Sequence, residues 1–552
     1  MSAGSMNSKH EPAGLQAGVE TGTAAKVGMV TLVMLFSRLL SLVSVQIYMA
    51  VFGAGGNEIN IYSFALPVPN ILFTSFGTAL ATVVIPIYSG LLSRGEKSRA
   101  DRFAHNLFTS ASLFTLGLIL ISELAAPLIP GLTEYSQPDR GSLFLVQALR
   151  ILFPVMMFYT WNYILQGLLQ SAGRFFMPAF VSVPSSLIVI GYTLLLGSRF
   201  GVQGLLVATV LGLSTQAFIL IPPILKLGYR YRPVMDLKDP DMVKALKLSP
   251  SVLLGTSAYQ LNMLFNSILA ANFGNKVTLL NFAQALVLNS VLAFVYSMTA
   301  VIYPRLSVQH ARGDKPAYLA TVTGAVRSIA FLLIPATAGL IAVREPLLDL
   351  LVRWGRVTGE EARLAASLLA FYTAGILGIG LKEVFDRAFY AAHDTRTPAI
   401  NGIFMMVVNI GASLLFTSFM GIQGIPLAYS VAAAAGGLAL ALKLHRKTGG
   451  LIDPKLIKGF GTMALAGLAV YAASAATVHL TGLWLETGAV AGGGAETGAG
   501  VLVRILRVGL PVLAGGLAYA GITIAFRLAE AQRILLKIRS VFHHGSSHRR
   551  ER

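Results

Sequence analysis

The sequence has no cysteine among its 552 residues, which excludes disulfides, thiolate metal sites and cysteine nucleophiles. Charge is also scarce. Only 12% of residues are Asp, Glu, Lys or Arg, against 55% hydrophobic, too little for the surface of an ordinary soluble domain. No phosphate-loop pattern, no His-Glu-x-x-His zinc motif and no nucleophile–base pairing is present, so enzyme chemistry, a metal site and a bound cofactor are not expected. Gly53-Ala54-Gly55 falls in a short connection rather than after a strand, and is not a dinucleotide fingerprint. Residues 1–24 are polar and lack an apolar secretory core. They are expected to be a disordered tail.

What the chain does have is hydrophobic runs of twenty or more residues, each long enough to cross a hydrocarbon core of about 30 Å. The runs predict an all-α polytopic membrane protein of about fourteen spans: 26–52, 59–92, 104–130, 142–171, 177–198, 202–228, 247–272, 277–309, 318–342, 363–393, 398–419, 423–445, 457–482 and 502–527. The 55 glycines and 23 prolines suit packed membrane helices, where small residues allow close approach. A formal charge of +19 could suggest nucleic acid. Its distribution points to topology instead, because the loops after even-numbered spans hold most of the basic residues, such as Arg94, Lys97, Arg99 and Arg102, or Arg230, Arg232, Lys238 and Lys244. Basic loops stay inside. Both termini are therefore expected on the cytoplasmic face, with a basic tail over 529–552.

The chain also repeats itself. Phe64, Pro86 and Arg94-Gly95-Glu96-Lys97 return 218 residues later as Phe282, Pro304 and Arg312-Gly313-Asp314-Lys315. Pro178-Ala179 and the stretch from Phe200 to Leu205 return at 220 as Pro398-Ala399 and the stretch from Met420 to Ile425. Anchors that recur in one order argue for duplication. A unit of six spans is even, so both copies enter the membrane in the same direction, as parallel repeats do, with a substrate path between them. The expected organisation is a lobe over 25–230, a second over 244–447, and two extra helices over 455–528 joined by a glycine-rich linker at 488–500.

Ionisable side chains near a bilayer centre cost about 2.5–3.5 kcal/mol each on insertion scales. Arg38 lies near the middle of span one, beside Ser37, Ser41, Ser44 and Tyr48 at helical spacing. That stripe is expected to face a cavity, the alternative being an arginine bonded to carbonyls between packed helices. Span ten holds Lys382, Glu383, Asp386 and Arg387, which spacing pairs as Lys382 with Asp386 and Glu383 with Arg387. They are either self-neutralised or a charged lining whose partners exchange. Asn262, Asn266, Asn281, Gln284 and Asn289 are interhelical glue or substrate contacts. Pro67 and Pro69 mark a kink or hinge in span two. Residues 343–354 read as a short interfacial helix ending at Trp354.

Several stretches carry a resemblance: Leu35-Phe36-Ser37-Arg38, Val51-Phe52-Gly53-Ala54-Gly55, Leu66-Pro67-Val68-Pro69-Asn70, Ile85-Pro86, and Phe389-Tyr390-Ala391-Ala392-His393-Asp394-Thr395-Arg396-Thr397-Pro398. With these the chain resembles the MurJ (MviN) family of lipid II flippases, within the multidrug/oligosaccharidyl-lipid/polysaccharide exporter superfamily. The resemblance implies two six-helix lobes around a cationic cavity and a groove for a polyprenyl tail beside the last two helices. It also implies transfer of undecaprenyl-pyrophosphate-linked peptidoglycan precursor between leaflets of the bacterial cytoplasmic membrane, with cell-wall synthesis machinery as a candidate partner.

Arg38 matches the family's first cavity arginine. Further family cations correspond here to Ser44, Phe73-Thr74 and Gln284, so Lys382 and Arg387 are candidates to replace them. The substrate-binding candidates are Arg38, Ser41, Ser44, Asn70, Gln284, Lys382 and Arg387. Glu383, Asp386, Asp394 and Arg396 are charge-pair or gating candidates, and Pro67 and Pro69 the hinge. A pyrophosphate favours arginine or lysine in a low-dielectric cavity. Membrane potential or a coupling ion could supply energy. Alternative cargoes are other polyprenyl-linked glycans such as teichoic-acid or capsule units. A cation-coupled multidrug antiporter fits less well, since Glu58 is the one acid in the first two spans.

Overall fold

The computed structural model describes residues 13–134, 140–290, 292–353, 355–451, 453–487, 498–532 and 536. Among them the chain is helical throughout. The first copy contributes α1 (Ala13–Phe52), α2 (Asn57–Ala65), α3 (Pro67–Ser93), α4 (Lys97–Ala125), α5 (Arg140–Leu152), α6 (Val155–Ser171), α7 (Phe176–Phe180), α8 (Ser182–Leu195), α9 (Gly197–Phe218) and α10 (Ile221–Lys226). The second contributes α11 (Pro240–Ala271), α12 (Val277–Ser290), α13 (Leu292–Ala311), α14 (Lys315–Val352), α15 (Gly359–Ala374), α16 (Ile376–Ala391), α17 (Arg396–Met420) and α18 (Gly424–Thr448). After them come α19 (Pro454–Thr487) and α20 (Gly498–Ala525). Eleven segments of the described residues are long and apolar enough to cross a membrane, the longest, Arg396–Thr448, comprising α17 and α18.

The duplication is written in the backbone. Left-handed residues occur at Gly95, Gly201 and Gly228, and again at Gly313, Gly421 and Gly449. Gly201 and Gly421 share an unusual conformation, φ 60° with ψ −154° and φ 62° with ψ −142°, open to glycine because it lacks a Cβ. Gly173 (φ 72°) is matched 220 residues on by His393 (φ 58°), a residue type tolerated in that region.

Proline acts at element starts as well as inside them. Helix α2 ends before Leu66, which keeps helical angles (φ −56°, ψ −47°), and Pro67 opens α3, where its missing N–H costs little. Pro69 sits in the first turn of the same helix. Pro86 in α3 and Pro304 in α13 interrupt matching helices. Two sequence expectations need correction. Helix α1 begins at Ala13, inside the stretch expected to be a disordered tail, a segment that no proline interrupts between Ala13 and Ala25. Residues 1–12 lie outside the described residues. The stretch 343–352 is the end of α14 rather than a separate interfacial helix, since no cap or glycine separates it from the preceding span. Trp354, linker residues 488–497 and tail residues 537–552 also lie outside the described residues.

The chain forms two compact units. One takes the residues up to Ser44 with Phe76–Ser122 and Phe153–Val252; the other takes Val45–Ser75, Glu123–Leu152 and Leu253 onward. In the second unit α19 and α20 pack on each other and on α14. Ala330 meets Met463, Leu528 and Ala531, and Ala466 and Val470 meet Tyr519. The Tyr519 hydroxyl donates to the Phe331 carbonyl at 2.7 Å, and Arg327 pairs with Glu530 at 2.8 Å. Helices α16 and α18 approach closely because Gly378 faces the Ala433 backbone.

Candidate functional site

Within the second unit, α2 packs against α12, its counterpart in the duplication. The Thr278 N–H donates to Asn60 Oδ1 at 3.0 Å, and Asn60 precedes Thr278 by 218 residues. The Thr278 hydroxyl donates to Ser63 Oγ at 2.8 Å, and the Asn281 amide donates to the Ser63 carbonyl at 2.9 Å, again 218 positions apart. The Asn60 amide also donates to the carbonyls of Ala54 and Gly56 at 2.7 and 2.8 Å. Asn60, Ser63 and Thr278 are buried. Points related by a two-fold operation are neighbours only near its axis, so this seam lies at the internal axis of the duplication. Each of its bonds adds about 1 kcal/mol, and a buried partner left unpaired costs about 1–3 kcal/mol.

The end of α1 is held to the same region. Tyr48 and Tyr62 meet edge to face at 5.6 Å. The Arg356 N–H donates to the Ala50 carbonyl at 2.9 Å, and Gly355 (φ 67°) lies so close to that carbonyl that a Cβ would collide with it. Helix α15 then starts on a capping box. The Thr358 N–H donates to Glu361 Oε2 at 2.7 Å, and the Glu361 N–H donates to Thr358 Oγ1 at 3.3 Å.

On α16, Lys382 Nζ lies 2.6 Å from Asp386 Oδ2 and 3.4 Å from Glu383 Oε1. The first pair was expected; the second replaces the expected pairing of Glu383 with Arg387. Arg387 instead lies over the Tyr303 ring, 5.8 Å from its centroid, the aromatic face that the neighbouring α13 offers. Asp386 is buried, and its Oδ1 has no hydrogen-bond partner.

The serine stripe of α1 divides. Arg38 and Ser41 are exposed, whereas Ser37 and Ser44 are buried. Ser37 donates to the Val33 carbonyl at 2.8 Å and the Ala179 carbonyl at 3.3 Å. Arg38 and Ser41, three apart, share one face, and the buried serines turn into their own bundle. Elsewhere, Asn70 is exposed and accepts from the Thr74 hydroxyl, while Gln284 is half-buried with its amide 3.8 Å from Met263 Sδ. Asp394 accepts from the Thr397 N–H and hydroxyl at 3.0 Å each, and pairs with Lys447 at 3.1 Å. Burial pushes the Asp394 carboxyl up, but those bonds and the lysine together hold it below the usual carboxylate range. Asp394 thus caps the start of α17. Arg396 is exposed. The side chain of Asn289 lies outside the described residues.

Sequence reasoning missed Asn60, Ser63 and Thr278 as a joined set. The signal was present, because the 218-residue offset that aligns Phe64 with Phe282 also aligns Asn60 with Thr278 and Ser63 with Asn281.

The family model described as Lipid II flippase MurJ matches residues 49–491. The chain belongs to the MurJ family. A probable lipid II flippase MurJ of Vibrio cholerae is 27% identical over 476 residues, covering 83% of this chain and 90% of that protein. The lipid II flippase MurJ of Burkholderia cenocepacia is 24% identical, covering 76% and 83%. Among solved structures, a MurJ in an inward closed conformation superimposes with a TM-score of 0.74 at 22% identity, over 90% of this chain and 98% of that one. An inward-facing multidrug-resistance MATE family transporter of the MOP superfamily gives 0.61 at 16% identity, over 76% of this chain and 98% of that one. These likenesses establish the fold as MurJ-type.

Proposed function

We propose that this chain moves lipid II from the inner to the outer leaflet of the bacterial cytoplasmic membrane by alternating access. The observation that carries the reading is the family match, which spans both copies of the duplication. The α2–α12 seam supports the mechanism: in this reading it serves as a closed gate at the outer end of the path, held by a few polar bonds that can be exchanged for water. Arg38 supplies a mid-membrane cation on an exposed face, the chemistry a pyrophosphate requires, and Ser41 shares that face.

In this reading the lobes are 25–230 and 244–447, helices over 455–528 line the route of the lipid tail, and both termini are cytoplasmic. Asn70, Gln284, Lys382 and Arg387 complete the headgroup contacts. Membrane potential drives part of the cycle, at about 2.3 kcal/mol per charge per 100 mV, and enzymes of cell-wall synthesis receive the cargo. The uncharged Ser44 and Gln284, at positions where the family resemblance implies cations, support a second, less anionic polyprenyl-linked glycan as alternative cargo. Purified protein in vesicles containing labelled lipid II tests the reading. Protein-dependent exposure of the label at the opposite leaflet is expected; transfer equal to protein-free vesicles rejects lipid II as cargo.

A further inference from the structure

We propose that Asp386 is a proton-binding residue whose protonation releases Lys382 to an anionic cargo. The three groups Lys382, Glu383 and Asp386 carry one net negative charge, since Arg387 turns to the Tyr303 ring. Lys382 is shared between two carboxylates, with the shorter contact to Asp386. The second oxygen of Asp386 is buried without a partner. An unpartnered anionic oxygen inside a membrane helix bundle is costly, and taking up a proton removes both the charge and most of that cost.

The surroundings leave few competitors. On α16 itself the titratable neighbours are Lys382, Glu383, Arg387 and Tyr390. From other elements come phenols: Tyr259 on α11, Tyr296 and Tyr303 on α13, Tyr372 on α15 and Tyr429 on α18 interact with the triad or with one another. Helix α14 presents Ile329 and Leu333 beside Gly380, and its Tyr318 hydroxyl donates to the Ala388 carbonyl, two residues beyond Asp386. Phenols stay neutral at physiological pH, so the exchangeable proton belongs to a carboxylate. The step is simple in its balance: a proton from water bonds to Asp386 Oδ1, no other covalent bond changes, and the triad becomes neutral. Lys382 then keeps one ion pair, the longer one to Glu383, with Asp386 Oδ2 left as a weaker, neutral acceptor, and its ammonium can turn to a phosphate oxygen.

The release of Lys382 rests on the proposed cargo; the proton site does not, and two measurements separate them. The first is an infrared difference spectrum of the full-length protein in lipid nanodiscs between mildly alkaline and mildly acidic pH. A protonated-carboxyl band is expected in the wild type and in Glu383→Gln, lost in Asp386→Asn, and restored and shifted in Asp386→Glu, which keeps the carboxyl if Asn disturbs folding. A band surviving in Asp386→Asn, or none in the wild type, overturns the proton site. The second is binding of purified lipid II to the same nanodiscs. Wild-type affinity is expected to rise about tenfold on acidification, about 1.4 kcal/mol, and Asp386→Asn is expected to bind tightly at both pH values. Wild-type affinity that ignores pH while the band persists overturns the release step and leaves the proton site standing. No lipid II binding at any pH rejects the cargo instead.

Discussion

The Thr278 N–H donates to the side-chain oxygen of Asn60, its own counterpart one repeat earlier, across 3.0 Å. Few contacts in a duplicated chain join equivalent positions, because most of each copy lies away from the axis. The seam they form with Ser63 and Asn281 is short, buried and polar. Such a seam can close firmly and still part without exposing a large apolar face.

Asn60→Ala is expected to loosen this gate. It strips a buried N–H of its acceptor at a cost of about 1–3 kcal/mol, enough to raise the open population by about tenfold or more. A single cysteine placed at Ser63, in a chain with none of its own, reports this as faster labelling by a membrane-impermeant thiol reagent. Unchanged labelling would show that the seam does not hold the gate.

Locking the gate should stop transport. Cysteines at Ser63 and Asn281, whose backbone and side chain are 2.9 Å apart, can be bridged by a short bifunctional thiol reagent. Flipping should cease on bridging with a cleavable linker and return on cleavage. Continued flipping by fully bridged protein contradicts alternating access at this seam.

Arg38→Ala is expected to reduce lipid II transport at least about tenfold, consistent with the loss of a charge-assisted bond of roughly 1.5–3 kcal/mol, while membrane insertion and thermal stability stay normal, because the side chain is exposed. Normal flipping by well-expressed variant protein removes Arg38 from the headgroup site.

Gly378→Ala should lower thermal stability. Its Cβ would sit 2.6 Å from the Ala433 carbonyl carbon, a backbone atom that cannot swing aside, and overpacking of this kind costs about 1–3 kcal/mol. The same variant should separate α16 from α18 and weaken transport. A melting temperature equal to wild type would indicate that the helices shift freely.

Asp394→Ala removes a cap and an ion pair from the start of α17, at a cost of about 0.5–2 kcal/mol. The folded carboxyl titrates below its usual range, so its contribution is present above about pH 4 and fades as pH falls through the lower folded value. Thermal melts of wild type and variant should therefore differ at neutral pH and converge in acid. A constant difference across that range would leave the carboxylate charge without a role.

The helical, membrane-embedded character and the duplication were legible because both are written in long apolar runs and fixed offsets. Glycine spacing even anticipates the left-handed turns at Gly95 and Gly313. Side-chain partnerships were less so. Helical spacing offered Glu383 to Arg387, but a tyrosine on another helix drew Arg387 away. Ser37 and Ser44 share a periodic stripe with Ser41, yet one residue of rotation turns Arg38 and Ser41 outward and the others inward. The continuation of α14 through 343–352 was hidden because its apolar spacing suits both an interfacial turn and a longer helix.

The pairing at the axis also bears on how such a molecule arises. In a symmetric dimer of separate chains, a residue on the two-fold meets an identical copy of itself, and two asparagine oxygens or two threonine hydroxyls must compromise over who donates. Fusion into one chain lifts that constraint. Here one copy offers the Asn60 side-chain oxygen and the other the Thr278 N–H, while the Asn281 amide donates to the Ser63 backbone carbonyl. Two halves of one chain can differ as lock and key where two identical subunits must present the same residue twice.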